Sequence, residues 1–207
     1  MSRINMLRIP LFLLLVLAIP SNSFGSNSGS FTDNRDGQEY KWIEIDSQIW
    51  MAENLNYEVY YNYYNSVCYD NDNYNCEKYG RLYDWSAAET ACPEGWHLPS
   101  NDEWDILTTA VGGEETAGTM LKSSDNWYDE DYNYIPGNDD YGFSALPGGE
   151  GGSNGYSGAG QFGAWWSSTE DYGNGGAYYR RMDYNYENVG WNSIVKEIFL
   201  SVRCIWD

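Results

Sequence analysis

Only one histidine, four cysteines and eleven lysines and arginines occur among the 207 residues. Against 31 acidic residues those eleven leave a formal net charge of -20. Such a surface repels phosphate backbones and makes nucleic acid a poor partner. Phenylalanine is scarce as well: 6 residues against 20 tyrosines and 10 tryptophans. The one apolar run, Leu11 to Ile19, is too short to cross a bilayer as a stable helix.

That run follows Arg3 and Arg8 and precedes small polar residues, the layout of a signal peptide over residues 1–25. Cleavage is expected between Ser21 and Ser26. No cysteine directly follows the run, so an acylated N-terminal cysteine is not expected, and no transmembrane segment is expected after cleavage. The protein is expected outside the cytoplasm, in the periplasm or at the cell surface. Losing two arginines makes the mature chain more acidic still. Residues 26–37, rich in Ser, Asn and Gly, read as a flexible lead-in, and residues 38–207 as a single domain.

Four cysteines in an exported chain point to two disulfides, with Cys68–Cys76 and Cys92–Cys204 favoured among the three pairings. The first would close a small acidic loop. The second would tie an early helix to the last strand, and no thiol would be left for nucleophilic chemistry. Tyr and Trp carry a polar handle and favour wet interfaces. Many lie in polar runs such as "YEVYYNYYN" and "MDYNYENVGWN", a composition suited to a binding surface.

The spacing of apolar residues predicts a hairpin in "YKWIEIDSQIWMAENL", then an irregular Tyr- and Asn-rich loop over residues 57–75. Asp84 is placed to cap a short helix carrying Trp85, Ala88 and Cys92 on one face, ended by Pro93. Ser100 and Glu103 form a capping box for a second helix with Trp104, Leu107 and Val111, stopped by Gly112 and Gly113. A third helix is expected near Ala117 to Lys122. Strands are expected in "GFSALPGG", "AWWSST", "AYYRRMDY" and "FLSVRCIW". In the last, Leu200, Val202 and Cys204 share the core face while Ser201 and Arg203 take the other. The pattern is α+β with small antiparallel sheets and long loops, disulfide-stapled.

His97 sits between a Cys-Pro turn and a capped helix, with no Ser or Cys nucleophile in evidence, and reads as a packed hinge residue rather than a catalytic base. "GAGQFG" at 158–163 spells G-x-G-x-x-G but runs into a strand, so it reads as a loop. Calcium is the candidate cofactor, through loop carboxylates Asp129, Asp131, Asp139 and Asp140, although no EF-hand spacing is present. Two aromatic groups are candidate ligand contacts: Trp127, Tyr128, Tyr132 and Tyr134, and Tyr178, Arg180, Tyr184, Tyr186 and Trp191. Tyr178, Arg180, Met182 and Tyr184 fall on one strand face. Such faces stack on sugar rings or cover protein epitopes.

"LYDWSAAETACPEGWHLPSNDEWDIL", with "GFSALPGG", "WWSSTE" and "SVRCIWD", resembles the Fibrobacter succinogenes major paralogous domain from about residue 37 onward. The resemblance implies export and names no activity. More distantly, Trp85, Ala88, Cys92 and Cys204 are similar to the framework of the C-type lectin-like fold, and "HLPSNDEW" to a segment of its sulfatase-modifying branch. This implies termini paired in one sheet and again Cys92 joined to Cys204. The Glu-Pro-Asn, Gln-Pro-Asp and Trp-Asn-Asp motifs of calcium-dependent sugar binding are missing. The expectation is therefore a secreted, non-catalytic recognition domain for a glycan or an extracellular protein, its oligomeric state open. In some diversified proteins of the lectin-like fold the ligand face is rich in Tyr, Asn, Asp and Ser, as residues 171 to 195 are here. The alternatives are an oxidoreductase related to the sulfatase-modifying branch, and a structural surface protein without a small ligand.

Overall fold

The computed structural model describes residues 27–61 and 64–207. The expected signal peptide, residues 1–25, lies outside the described residues. Strands β1 (Ser28–Thr32), β2 (Glu39–Ile45) and β3 (Gln48–Met51) come first. The expected β2–β3 hairpin is present, turning at Asp46 with φ +55°. β1 corrects the flexible lead-in: Ser28 to Thr32 pair with Ile43 to Glu39. Gly29 faces Trp42 so closely that a Cβ would sit 2.8 Å from the indole. The glycine that suggested a linker is thus required for strand packing.

Residues 57–75 are not a loop throughout. They hold β4 (Tyr60–Tyr61), β5 (Tyr64–Val67), a 3-10 turn (Tyr69–Asn71) and the start of α1 (Asn73–Tyr79), where Asp72 accepts from the Tyr74 amide. After β6 (Leu82–Tyr83), α2 (Trp85–Ala91) is capped by Asp84, whose side chain accepts from the Ala87 amide at 2.8 Å. β7 (Trp96–His97) leads to α3 (Asn101–Ala110), with the Ser100–Glu103 capping box formed, and to α4 (Glu114–Leu121). "GFSALPGG" is not a strand; it makes only isolated bridges, Lys122 with Ala145 and Gly149 with Gly163. The hairpin β8 (Glu150–Gly152) and β9 (Gly155–Ser157) precedes β10 (Phe162–Asp171), β11 (Gly176–Asp183) and β12 (Gly190–Ile194). The last candidate strand divides into β13 (Leu200–Ser201) and β14 (Ile205–Trp206).

These elements make an α+β architecture with one sheet ordered β1-β2-β3-β14-β7 and another ordered β12-β11-β10-β13-β6-β5-β4. The β10–β13 pair is parallel and the others are antiparallel. Two apolar cores flank β10. Alternation along the strand sends Trp166 into one core with α2, Tyr83 and Leu200, and Trp165 into the other with Trp104, Leu121 and Met182. Both indole N–H groups find acceptors in the interior, Trp166 on the Tyr83 carbonyl at 2.7 Å and Trp165 on Asn54 Oδ1 at 2.9 Å.

The face assigned to Ser201 and Arg203 is also buried, and Arg203 is fully so. Its Nε and Nη2 donate to Asn54 Oδ1 at 3.2 and 2.6 Å. Nη1 donates to the Met51 and Phe143 carbonyls, and Nη2 also to that of Ser144. Burial lowers the guanidinium pKa to about 9, which still leaves it charged at neutral pH. Both disulfides join the favoured partners, Cys68 to Cys76 across 8 positions and Cys92 to Cys204 across 112.

Two stability predictions follow from these ties. Arg203→Leu should lose about 3 kcal/mol or more in urea unfolding, because it strands buried acceptors. Arg203→Lys should not restore the loss, since three donors on one nitrogen cannot span those acceptors; full rescue by lysine would refute the argument. Replacing Cys92 and Cys204 with serine should cost roughly 4–5 kcal/mol, and the Cys68, Cys76 pair roughly 2–3, as loop-closure entropy requires. Equal costs would contradict it.

Candidate ligand-binding face

β12 is an edge strand, and its pairing with β11 puts Arg180 opposite Trp191, Tyr178 opposite Ser193 and Tyr179 opposite Asn192. Along β11 the face of Tyr178, Arg180 and Met182 runs from half-buried to fully buried. Arg180 is not available to a ligand. Its guanidinium donates to Asn101 Oδ1 at 2.9 Å, the Asn101 carbonyl at 3.2 Å and Asp105 Oδ1 at 2.7 Å, which fastens α3 to the sheet. Trp191 is different: 58% exposed, its ring centroid 6.0 Å from that of Tyr178.

A groove of about 430 Å³ lies on one side of Trp191, between β11–β12 and the α3–α4 region; Tyr178, Asn101, Asp105, Thr109 and Glu114 line it. A second groove, about 290 Å³, lies on the other side and is lined by Tyr179, Arg181, Asp183, Tyr186, Asn188 and Asn192. Arg181 is folded onto Asp183, with Nη2 to Oδ1 at 2.6 Å, and stacks 3.6 Å over the Phe162 ring. The hydrogen bonds that Arg181 donates to Asp183 raise the guanidinium pKa.

The loop between β11 and β12 rests on α4. Lys122 Nζ donates to the carbonyls of Asp183 and Tyr186, both at 2.9 Å, and the Thr119 amide donates to the Glu187 carbonyl at 3.1 Å. Gly118 allows this approach, since a Cβ there would lie 2.4 Å from the Asn188 carbonyl oxygen. Burial holds the Lys122 ammonium below its ordinary pKa, against the attraction of Asp183 and Glu187. Tyr186 is thereby presented at 60% exposure. Tyr184 is half-buried against the second core. Burial, and then the carboxylates of Glu130, Asp129 and Asp131, raise its hydroxyl pKa.

The earlier aromatic group separates. Trp127 is fully buried, with its N–H on the Ala145 carbonyl at 3.1 Å, so it is framework and not a ligand contact. Tyr128 and Tyr134 are paired with centroids 6.1 Å apart, and Tyr132 projects at 83% exposure. Two of the four candidate calcium carboxylates, Asp129 and Asp139, are occupied by their own loops. Asp129 accepts from the Asp131 and Asn133 amides and from Asn133 Nδ2, and these hydrogen bonds lower its pKa. Asp139 accepts from the Ser144 amide and hydroxyl at 2.7 and 2.6 Å. Among the described residues no three Asp, Glu, His or Cys side chains converge to hold a metal, so the structure does not assemble a calcium site from Asp129, Asp131, Asp139 and Asp140.

His97 is held from both sides, with Nε2 2.8 Å from Glu103 Oε1 and Nδ1 2.7 Å from Asp207 Oδ1. Ionised carboxylates only accept hydrogen bonds, so this geometry calls for the imidazolium. Glu103 is itself fixed by the Ser100 amide and hydroxyl at 2.7 and 2.8 Å. The residue joins β7, the start of α3 and the C-terminal segment. Nothing in the sequence pattern revealed Asp207 as its partner, because the contact spans 110 positions.

Burial works against the His97 charge, yet the hydrogen bonds to Glu103 and Asp207 prevail and raise its pKa above 6.5. A raised pKa contributes stability that is complete below about pH 6.5 and is lost as pH climbs through the folded value. Glu103 has a lowered pKa, so its share is present above the ordinary value of 4.5 and lost as pH falls through the folded one. Melting temperature should therefore fall on the alkaline side in the wild type and lose that limb in His97→Gln. The single imidazole gives one resolved proton titration; a midpoint at or below 6.5 would refute the clamp.

A model of the Fibrobacter succinogenes major domain matches residues 43–206, most of the chain. No curated protein matches, and no solved structure does.

Proposed function

The chain belongs to the Fibrobacter succinogenes major domain family, and for this member we propose a secreted, non-catalytic recognition domain that binds a glycan through the β11–β12 face. The observation that carries the reading is Trp191: a large ring left 58% exposed on an edge strand, leaning on Tyr178, with a polar groove on either side. Aromatic faces stack on the apolar faces of sugar rings, while neighbouring Asn, Asp and Thr groups pair with hydroxyls. An exposed ring among such groups has little to do for stability.

We assign the domain a C-type lectin-like architecture. Its support is the capped α2 and α3 in succession, the Cys92–Cys204 bridge and the pairing of β14 with β3 beside the first strands. The two disulfides and the lack of any membrane-crossing helix among the described residues accord with export. With Cys92 and Cys204 bridged, the thiol pair required by an oxidase of the sulfatase-modifying branch is missing. A protein ligand on the same face is the second reading, favoured by the free edge of β12.

The test is a glycan array followed by titration of the best hit with the mature protein. Trp191→Ala should weaken binding at least tenfold, about 1.4 kcal/mol, with an unchanged melting temperature. Trp127→Ala should instead lower the melting temperature, as loss of a buried indole must. Removing calcium should leave binding as it was. Saturable binding indifferent to Trp191 would refute the assignment of the face, and a blank array would pass it to the protein ligand.

A further inference from the structure

The groove on the α3–α4 side of Trp191 has an uneven charge. Its one cation, Arg180, is 3% exposed and spends its hydrogen bonds on Asn101 and Asp105. Its carboxylates are open. The Asp105 side chain is 66% exposed and uses only Oδ1 on Arg180. Glu114 is exposed and, among the described residues, its carboxylate makes no ion pair or hydrogen bond. The opposite wall is the Tyr178–Trp191 ring pair. Carboxylates beside aromatic faces favour a ligand that combines a stackable body with positive charge.

Each carboxylate also admits a structural account. Glu114 opens α4, where a carboxylate favours the helix dipole, and Asp105 completes the Arg180 clamp. Neither account needs Glu114 to face an aromatic groove. Neither explains why Trp191 remains exposed there. The protein's overall charge of -20 adds a long-range field that draws cations toward the groove and repels anions.

Building on the glycan reading above, we propose that this groove takes an amino sugar with its amine free and protonated. The sugar face stacks on Trp191, and the ammonium sits between Asp105 and Glu114. An N-acetylated sugar keeps the stacking and loses the charge. A uronic acid meets repulsion.

The experiment is calorimetric titration of the mature protein at pH 6 with the trisaccharides of glucosamine, N-acetylglucosamine and galacturonic acid, and with trilysine. The glucosamine trisaccharide should bind at least fivefold tighter than its acetylated form, and weaken at least fivefold between 20 mM and 300 mM NaCl, as roughly expected for a screened ion pair. The uronate should not bind. Glu114→Gln should weaken binding at least threefold, while Glu77→Gln, a charge removed from α1 outside the groove, should have no effect.

Equal or tighter binding of the acetylated sugar, without salt dependence, would overturn the amine assignment and leave the glycan reading standing. Equal losses in the two glutamine variants would also overturn it, as a diffuse polyanion effect. Trilysine binding as tightly as the glucosamine trisaccharide would overturn the sugar class and point to a basic peptide. No binding by any of the three saccharides would overturn this proposal and count against the glycan reading together.

Discussion

A guanidinium buried without a carboxylate beside it must find a neutral acceptor for each of its N–H groups, and Arg203 finds them only where separate stretches of chain converge. Asn54 Oδ1 receives two of its bonds, and carbonyls of Met51, Phe143 and Ser144 receive the rest. The same Asn54 oxygen also accepts from Trp165, and its amide donates to the Tyr79 carbonyl at 2.8 Å. An unmet group here would cost several kcal/mol. Few arrangements of the chain satisfy all of them, so the network selects one.

From that centre the order spreads outward through β10. Trp165 is fixed by Asn54 on one side of the strand and Trp166 by Tyr83 on the other, so both cores share one rigid wall. β11 pairs with that wall and β12 with β11. The exposed ring of Trp191 is therefore held by a strand two steps removed from one whose first six residues are buried. Arg180 adds the cross-tie to α3, and Lys122 the cross-tie to the 183–187 loop. Both cations were drawn from a chain with few of them, and both are used inside the fold.

Local chemistry was legible in the sequence. Asp84 and Ser100 announced their helices because a cap acts within three residues, and Cys204 announced its side of the strand through alternation with Leu200 and Val202. What escaped notice needed a distant partner. Arg203 alternates as a solvent-facing residue would, and only the 139–146 segment arriving over it makes that face interior. Trp127 and Trp191 sit in equally polar surroundings in the sequence, yet one is covered and the other is not. The β1 strand was hidden by its glycine and serines, whose fitness for a linker is also fitness for lying on Trp42. Of the candidate site, Tyr178 and Trp191 were recognisable by type and strand face; Asn101, Asp105 and Glu114 were not, because α3 and α4 reach the groove from some 75 positions away.

The sheet order carries a consequence for timing. β14 lies between β3 and β7, and the bonds that complete the interior come from Arg203, within the last few residues. Until those residues are available, β3 has an unpaired edge, Asn54 lacks two of its three donors and Cys92 lacks its partner. Contacts so far apart along the chain are slow to form. Both cores therefore stay incomplete until residues 200–206 have paired with β10, β6, β3 and β7. One short segment thus draws α2, β3 and Asn54 together like a drawstring.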